Sequence, residues 1–217
     1  MGILSHDQAS KTYDRIGLIQ DLQWFYEDPA TVQLKEQGDF PAAESVFEFG
    51  CGTGRFARSL FRDYLGDQAH YRGVDISPKM VALARRRLDP WYDRASVQLS
   101  DGNAPADEPD GVYDRFVSNF VFDLLSDSDT RRVLGEAHRI LKPQGLLCLS
   151  GLSSVIERPS RVVSATAGWV HEHVPALLGG CRPVNLRSYL GEEWECLHYQ
   201  TQVVFGVPSE AMVFKRL

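Results

Sequence analysis

The stretch Val46-Phe47-Glu48-Phe49-Gly50-Cys51-Gly52-Thr53-Gly54-Arg55-Phe56-Ala57 decides the fold. Its first four residues read as a buried strand and its glycine-rich middle as a tight turn. From Arg55 onward, through Arg58-Ser59-Leu60-Phe61, it reads as a helix. Glycine tolerates positive φ and lets a ligand approach the backbone closely. A helix N-terminus adds unpaired N–H groups at the positive end of a dipole. Strand, glycine turn and helix together make a nucleotide-binding design, and the spacing restricts which one. A dinucleotide fold places a third glycine three positions after the second; here that position is Arg55. A phosphate-cradling loop closes on Lys-Ser or Lys-Thr, and neither follows. What stands is E-x-G-x-G-x-G, at Glu48, Gly50, Gly52 and Gly54.

Outward from this stretch, strand and helix patterns alternate, which argues for a parallel α/β sheet. Tyr71 to Asp75 reads as the second strand. Ser77-Pro78 then supplies an N-cap and a proline at the first helical position. Met80, Val81, Leu83, Ala84 and Leu88 give that helix its apolar face, and Arg85-Arg86-Arg87 reads as its solvated end. Ala95 to Leu99 reads as the third strand, Asp101 to Gly111 as a loop and Asp114 to Val121 as the fourth strand. Ser126-Asp127-Ser128-Asp129 resembles a capping box, with a helix to about Leu141 that carries His138 as a surface or packing residue. Lys142-Pro143-Gln144-Gly145 breaks that helix before a strand over Leu146 to Leu149. Residues 161–178 read as helical among several breakers. Trp194 to Val204 and Ala211 to Lys215 read as an antiparallel hairpin joined by Gly206-Val207-Pro208-Ser209-Glu210.

Composition bounds the function. The 217 residues hold 43% hydrophobic and 24% charged residues, ordinary for a soluble globular chain. A net charge of −6 lacks the basic footprint that nucleic-acid binding leaves. No apolar run is long enough to span a membrane, and no signal peptide is visible. Cys51, Cys148, Cys181 and Cys196 are scattered without C-x-x-C pairing, which argues against disulfides and zinc and fits a cytoplasmic protein.

Glu48, Gly50, Gly52 and Gly54 closely resemble motif I of the class I S-adenosylmethionine-dependent methyltransferases, and the likeness extends over roughly residues 44–151 and the C-terminal hairpin. The resemblance implies a single α/β domain, a Rossmann-like doubly wound sheet of seven strands in the order 3-2-1-4-5-7-6 with the last hairpin antiparallel. Residues 1–40 would form an N-terminal helical lid, 44–151 the cofactor-binding core, 152–190 a variable substrate cap and 191–217 the hairpin. The implied cofactor is S-adenosylmethionine, with S-adenosylhomocysteine as product. Its contacts would come from Tyr13, Glu48, Gly50, Cys51, Gly52, Gly54, Asp75, Ile76, Met80, Asp101, Gly102 and Asn119. Asp75 would accept from the ribose diol, or else cap the helix after it. Ile76 would lie against the adenine, with Met80 beside it or in the core. Asp101 would accept from the adenine amino group or form an Asx turn. The Leu141-Lys142-Pro143-Gln144-Gly145 turn matches a structural turn of the family, with Gln144 where the family has glycine.

The acceptor side is less defined. Ser118-Asn119-Phe120-Val121-Phe122-Asp123 stands where the family brings methyl group and acceptor together, without the N-P-P-Y signature of its DNA- and protein-glutamine-methylating members. Asn119 would line the methyl site. Asp123 would be a base, an amine-binding carboxylate or a solvent-facing residue. Trp24, Phe25, Tyr26 and Trp169 are the candidates for substrate stacking, and His171 or His173 for a base near neutral pH. The two histidines point apart on a helix and lack a third ligand, so no metal is expected. The leading expectation is methyl transfer to a small-molecule nucleophile. Another reaction of the same cofactor, such as cyclisation or transfer of another arm, is an alternative, as is a non-catalytic scaffold subunit. Acceptor and oligomeric state are open.

Overall fold

Valine, leucine and phenylalanine occupy both faces of the central strands, as a sheet buried between two layers of helices requires. The computed structural model describes residues 24–105, 107–153, 183–204 and 207–217. The strands are β1 (Ser45–Phe49), β2 (His70–Asp75), β3 (Ala95–Leu99), β4 (Tyr113–Asn119), β5 (Leu141–Leu152), β6 (Trp194–Val204) and β7 (Val207–Arg216). They form one sheet in the order β3-β2-β1-β4-β5-β7-β6. The first five run parallel; β7 lies antiparallel to β5 and to β6. The expected strand order and reversed hairpin are therefore present.

The helices are α1 (Trp24–Gln37), α2 (Arg55–Asp63), α3 (Pro78–Leu88) and α4 (Asp127–Ile140). On one face of the sheet, Val46, Val117, Cys148 and Val213 pack with Ala30 and Leu34 of α1, Ala57 and Leu60 of α2, and Val81, Ala84 and Leu88 of α3. On the other, Phe47, Phe116, Leu147, Leu149 and Met212 pack with Val133, Leu134, Ala137 and Ile140 of α4. The helix starts follow their signals. Ser77 Oγ accepts from Met80 N–H at 3.3 Å with Pro78 in the first turn, and Ser126 Oγ accepts from Asp129 N–H at 3.1 Å. Each such cap contributes about 1 kcal/mol.

Several strand limits differ from the sequence reading, among them the end of β4 and the starts of β5 and β7. β4 ends at Asn119, two residues early, because Phe120 turns into the left-handed region at φ 56°. β5 begins at Leu141, which pairs with Tyr113. The Lys142-to-Gly145 turn is a bulge inside the strand, with Gln144 at φ 66° and Lys142 Nζ 3.0 Å from Asp114. β7 begins at Val207 and not at Ala211. Pro208 has no N–H to give, and its carbonyl accepts from Ser153 N–H at 3.0 Å. Among the described residues, no helix is long and apolar enough to cross a membrane.

Candidate active site

Parallel order brings the carboxyl ends of β1 to β5 to one edge, where ligands of open α/β sheets bind. The glycine loop rises from β1 there, Asp75 ends β2, Asp101 follows β3, Asn119 ends β4 and Ser150 lies opposite Asn119 on β5. Gly50, Gly52 and Gly54 all have positive φ, at 76°, 51° and 73°. Gly50 and Cys51 N–H both donate to Val74 O at 2.9 Å, and Gly54 N–H to Cys51 O at 3.0 Å. A Cβ on Gly54 would lie 3.0 Å from Ala84 of α3, so the loop seats directly on that helix. A Cβ on Gly52 would meet nothing within 4 Å, so the loop is open to an incoming ligand at that point.

Asp75 reaches back to this loop. Its Oδ2 accepts from Gly52 N–H at 2.8 Å and its Oδ1 from Ser77 N–H at 2.9 Å, while the cap of α3 itself is Ser77. Asp101 closes an Asx turn, accepting from Asn103 N–H at 2.9 Å and from its side-chain amide at 2.7 Å, and it is exposed. Gly102, at φ 86°, donates to Ser100 Oγ. Ile76 is half-buried. Met80 is 1% exposed, its side chain enclosed by protein.

Beneath the loop, a polar chain crosses four strands. Tyr71 OH donates to Glu48 Oε2 at 2.6 Å, Asn119 Nδ2 to Glu48 Oε1 at 3.2 Å, and Ser150 Oγ to Asn119 Oδ1 at 2.8 Å. Glu48 is 2% exposed, and burial raises its pKa to about 7. The bonds from Tyr71 and Asn119 pull the other way, and the nearby Asp75 charge adds to the rise. Burial, then the Glu48 charge, also pushes the Tyr71 hydroxyl and the Cys51 thiol well above their usual ranges. Asn119 is thus held on both sides of its amide. Asp123 stands in a single 3-10 turn (Phe122–Leu124) and is 2% exposed, so the solvent-facing alternative does not hold. Its Oδ2 accepts from Leu152 N–H at 2.9 Å, and its carboxylate fills the space beside Gly151.

Tyr71, Ser150 and Arg87 were not among the expected site residues. Tyr71 shares a strand face with Gly73 and Asp75, and a Cβ on Gly73 would lie 2.6 Å from the Tyr71 hydroxyl; that alternation was the available signal. Arg85 and Arg87 are not merely solvated: Arg85 Nε donates to Val97 O at 2.9 Å, and Arg87 Nη1 to Thr53 O at 3.1 Å and to Thr53 Oγ1. Of the expected residues, Tyr13, Trp169, His171 and His173 lie outside the described residues. So does the helical reading of 161–178. Trp24, Phe25 and Tyr26 begin α1, and only their backbone is described. The described part of α1 packs on β5, β6 and β7, with Ala30 and Leu34 fully buried. Among the described residues, no group of three or more His, Cys, Asp and Glu is placed to hold a metal ion.

Residues 46–145 match the family described as a methyltransferase domain. The chain belongs to the class I S-adenosylmethionine-dependent methyltransferases. The demethylmenaquinone methyltransferase of Tropheryma whipplei (strain Twist) is 31% identical over 151 residues, which cover 68% of this chain and 57% of that protein. The arsenite methyltransferase of Aquipseudomonas alcaligenes is 36% identical over 112 residues, covering 48% of this chain and 32% of its own length. The chain thus spans little more than half the length of the first of these methyltransferases and a third of the second. Among solved structures, the [4+2]-cyclase SpnF superposes with a TM-score of 0.71 at 15% identity, over 100% of this chain and 98% of that one, a likeness of fold.

Proposed function

We propose that this methyltransferase binds S-adenosylmethionine across the β1–β3 edge and transfers its methyl group to a nucleophilic atom of a small molecule in the cytoplasm. The observation that carries the reading is an acidic edge beside an open glycine loop: Asp75 holds the turn whose Gly52 faces open space, Glu48 lies beneath it, and Asp101 follows β3 further along the same edge. Carboxylates at this edge suit the cationic methionine part and the hydroxyls of such a cofactor and repel phosphate. The bound cofactor would supply a methyl group on a sulfonium, a ready leaving group.

The residues then orient and exclude water. A carboxylate accepts about four hydrogen bonds, so Asp75 has the capacity to serve a ribose diol while it holds Gly52 and Ser77. Asp101 and Ile76 stand next along the edge, toward the adenine. Glu48 and Asn119 underlie the methionine part. Alignment and water exclusion supply much of the rate. A base is needed only when the acceptor must lose a proton; His171, His173 and Asp123 are the candidates. The residues ahead of Ala30 and residues 152–190, with Tyr13, Trp24, Phe25, Tyr26 and Trp169, would enclose the acceptor, while the rest of α1 stays packed on the sheet. The net charge of −6 favours a small molecule over nucleic acid.

Calorimetric titration with S-adenosylmethionine, S-adenosylhomocysteine and NADH tests the reading. Micromolar binding of the first two and none of the third is expected; no binding of either sulfur compound would move the scaffold alternative to the front. Asp75→Ala should weaken cofactor binding at least tenfold, about 1.4 kcal/mol, and unchanged affinity would remove the ribose assignment. The fold is shared with a cyclase, so the fold alone does not choose the reaction. An acceptor gaining the mass of one methyl group separates transfer from cyclisation.

A further inference from the structure

Three glycines in five residues make the Gly50–Gly54 loop costly to order, because glycine loses more backbone freedom than any other residue. The structure holds the loop from outside, on consecutive residues and from one side. Gly52 N–H is bound by Asp75 at the end of β2, Thr53 by Arg87 near the end of α3, and Gly54 rests on Ala84 of α3. Ala84 and Arg87 are three residues apart and so share a face of α3. Thr53 is 7% exposed, and one guanidinium nitrogen, Arg87 Nη1, reaches both its carbonyl and its hydroxyl. The last turn of the helix would be satisfied by any of Arg85, Arg86 or Arg87 as a cation near the negative dipole end; Arg85 turns to Val97 O on β3, whereas Arg87 meets the loop.

We propose that Arg87 is a positioning residue for the cofactor: by clasping Thr53 it holds the glycine loop in its binding shape, without touching the cofactor itself. This rests on the S-adenosylmethionine reading above. The clasp works through geometry and not through charge, and the two sulfur ligands separate those possibilities. S-adenosylmethionine carries a sulfonium charge that S-adenosylhomocysteine lacks. Loss of a loop anchor weakens both alike. Loss of a repelling cation would instead favour the sulfonium compound over the other.

The experiment is calorimetric binding of both compounds to the wild-type chain and to Arg87→Met, Arg87→Lys, Thr53→Val and the Arg87→Met/Thr53→Val pair, with amide hydrogen exchange on each. Arg87→Met is expected to weaken both ligands about tenfold and Thr53→Val about threefold. The pair should be no weaker than Arg87→Met, the non-additivity of two groups in one contact. Arg87→Lys should fall between wild type and Arg87→Met, since an ammonium keeps a donor for Thr53 but sits on a flexible stem without the fixed plane that aims Nη1 at both acceptors. Amides of residues 50–55 should exchange faster while those of β1 and β2 keep their protection. Wild-type affinity in Arg87→Met, or a change in the ratio of the two ligands, overturns the proposal. If Arg87→Met does not fold, Thr53→Val decides on the same readouts. Failure of the wild-type chain to bind either compound would overturn the cofactor reading; unchanged exchange at residues 50–55 in the variants would separately overturn the clasp.

Discussion

Gly50→Ala is expected to cost roughly 2–5 kcal/mol of folding stability, read as the free energy of urea unfolding. Two effects add. At φ 76° a side chain is strained, by about 1–2 kcal/mol for an L-residue. The new methyl would also stand 2.3 Å from Val121 Cγ2, and overpacking of this kind costs about 1–3 kcal/mol. Valine does not swing aside, because its χ1 is restricted. Gly52→Ala makes the contrast. It shares the left-handed backbone, at φ 51°, but its Cβ meets nothing within 4 Å, so only the strain, about 1–2 kcal/mol, applies. Under the proposed reading its methyl intrudes where the cofactor approaches, and affinity should fall at least tenfold in a folded protein. Adding Val121→Ala should restore the overlap part of the Gly50→Ala loss and none of the strain. A double variant as unstable as Gly50→Ala alone would show that Val121 is not the obstacle.

The same contrast explains what the sequence could and could not tell. The β1–turn–helix unit was legible because its constraints are local: only glycine sits comfortably at those three φ values. The caps at Ser77 and Ser126 were legible for the same reason. The end of β4 was not, since phenylalanine gives no sign of the left-handed turn that Phe120 makes. Nor was the start of β5, where Leu141 pairs with Tyr113 across a bulge that reads from sequence as a simple break. Arg87 stayed hidden because an arginine run at a helix end has a sufficient explanation in the dipole. Asn119 was placed at the right edge, yet its tie to Glu48 and Ser150 depends on which strands become neighbours. That fact belongs to topology and not to any local run of residues.

That tie has a consequence that pH should expose. Glu48 is an acid buried where its charged form is disfavoured, with Tyr71 from β2, Asn119 from β4 and the Asp75 and Cys51 side chains around it. Its pKa rises from 4.5 to about 7 on folding. The folded state therefore binds more protons than the unfolded chain between those values, and stability falls as pH rises. The full contribution is present below about pH 4.5 and is lost by about pH 7, a change on the order of 3 kcal/mol. Cys51 and Tyr71 are pushed upward, away from this window. Glu48→Gln keeps the shape without the titration. A glutamine oxygen accepts from Asn119, and its amide donates to the Tyr71 hydroxyl. The difference in unfolding free energy between wild type and Glu48→Gln should therefore drift by that amount from pH 4.5 to 8, with the variant the more stable at the upper end. A difference that stays flat would mean that Glu48 is not held neutral by the fold. In the proposed enzyme the strain would have a use. A sulfonium arriving above Glu48 favours its ionised form, so S-adenosylmethionine affinity should rise with pH over the same range. S-adenosylhomocysteine affinity should rise less, and the Glu48→Gln variant should show neither trend.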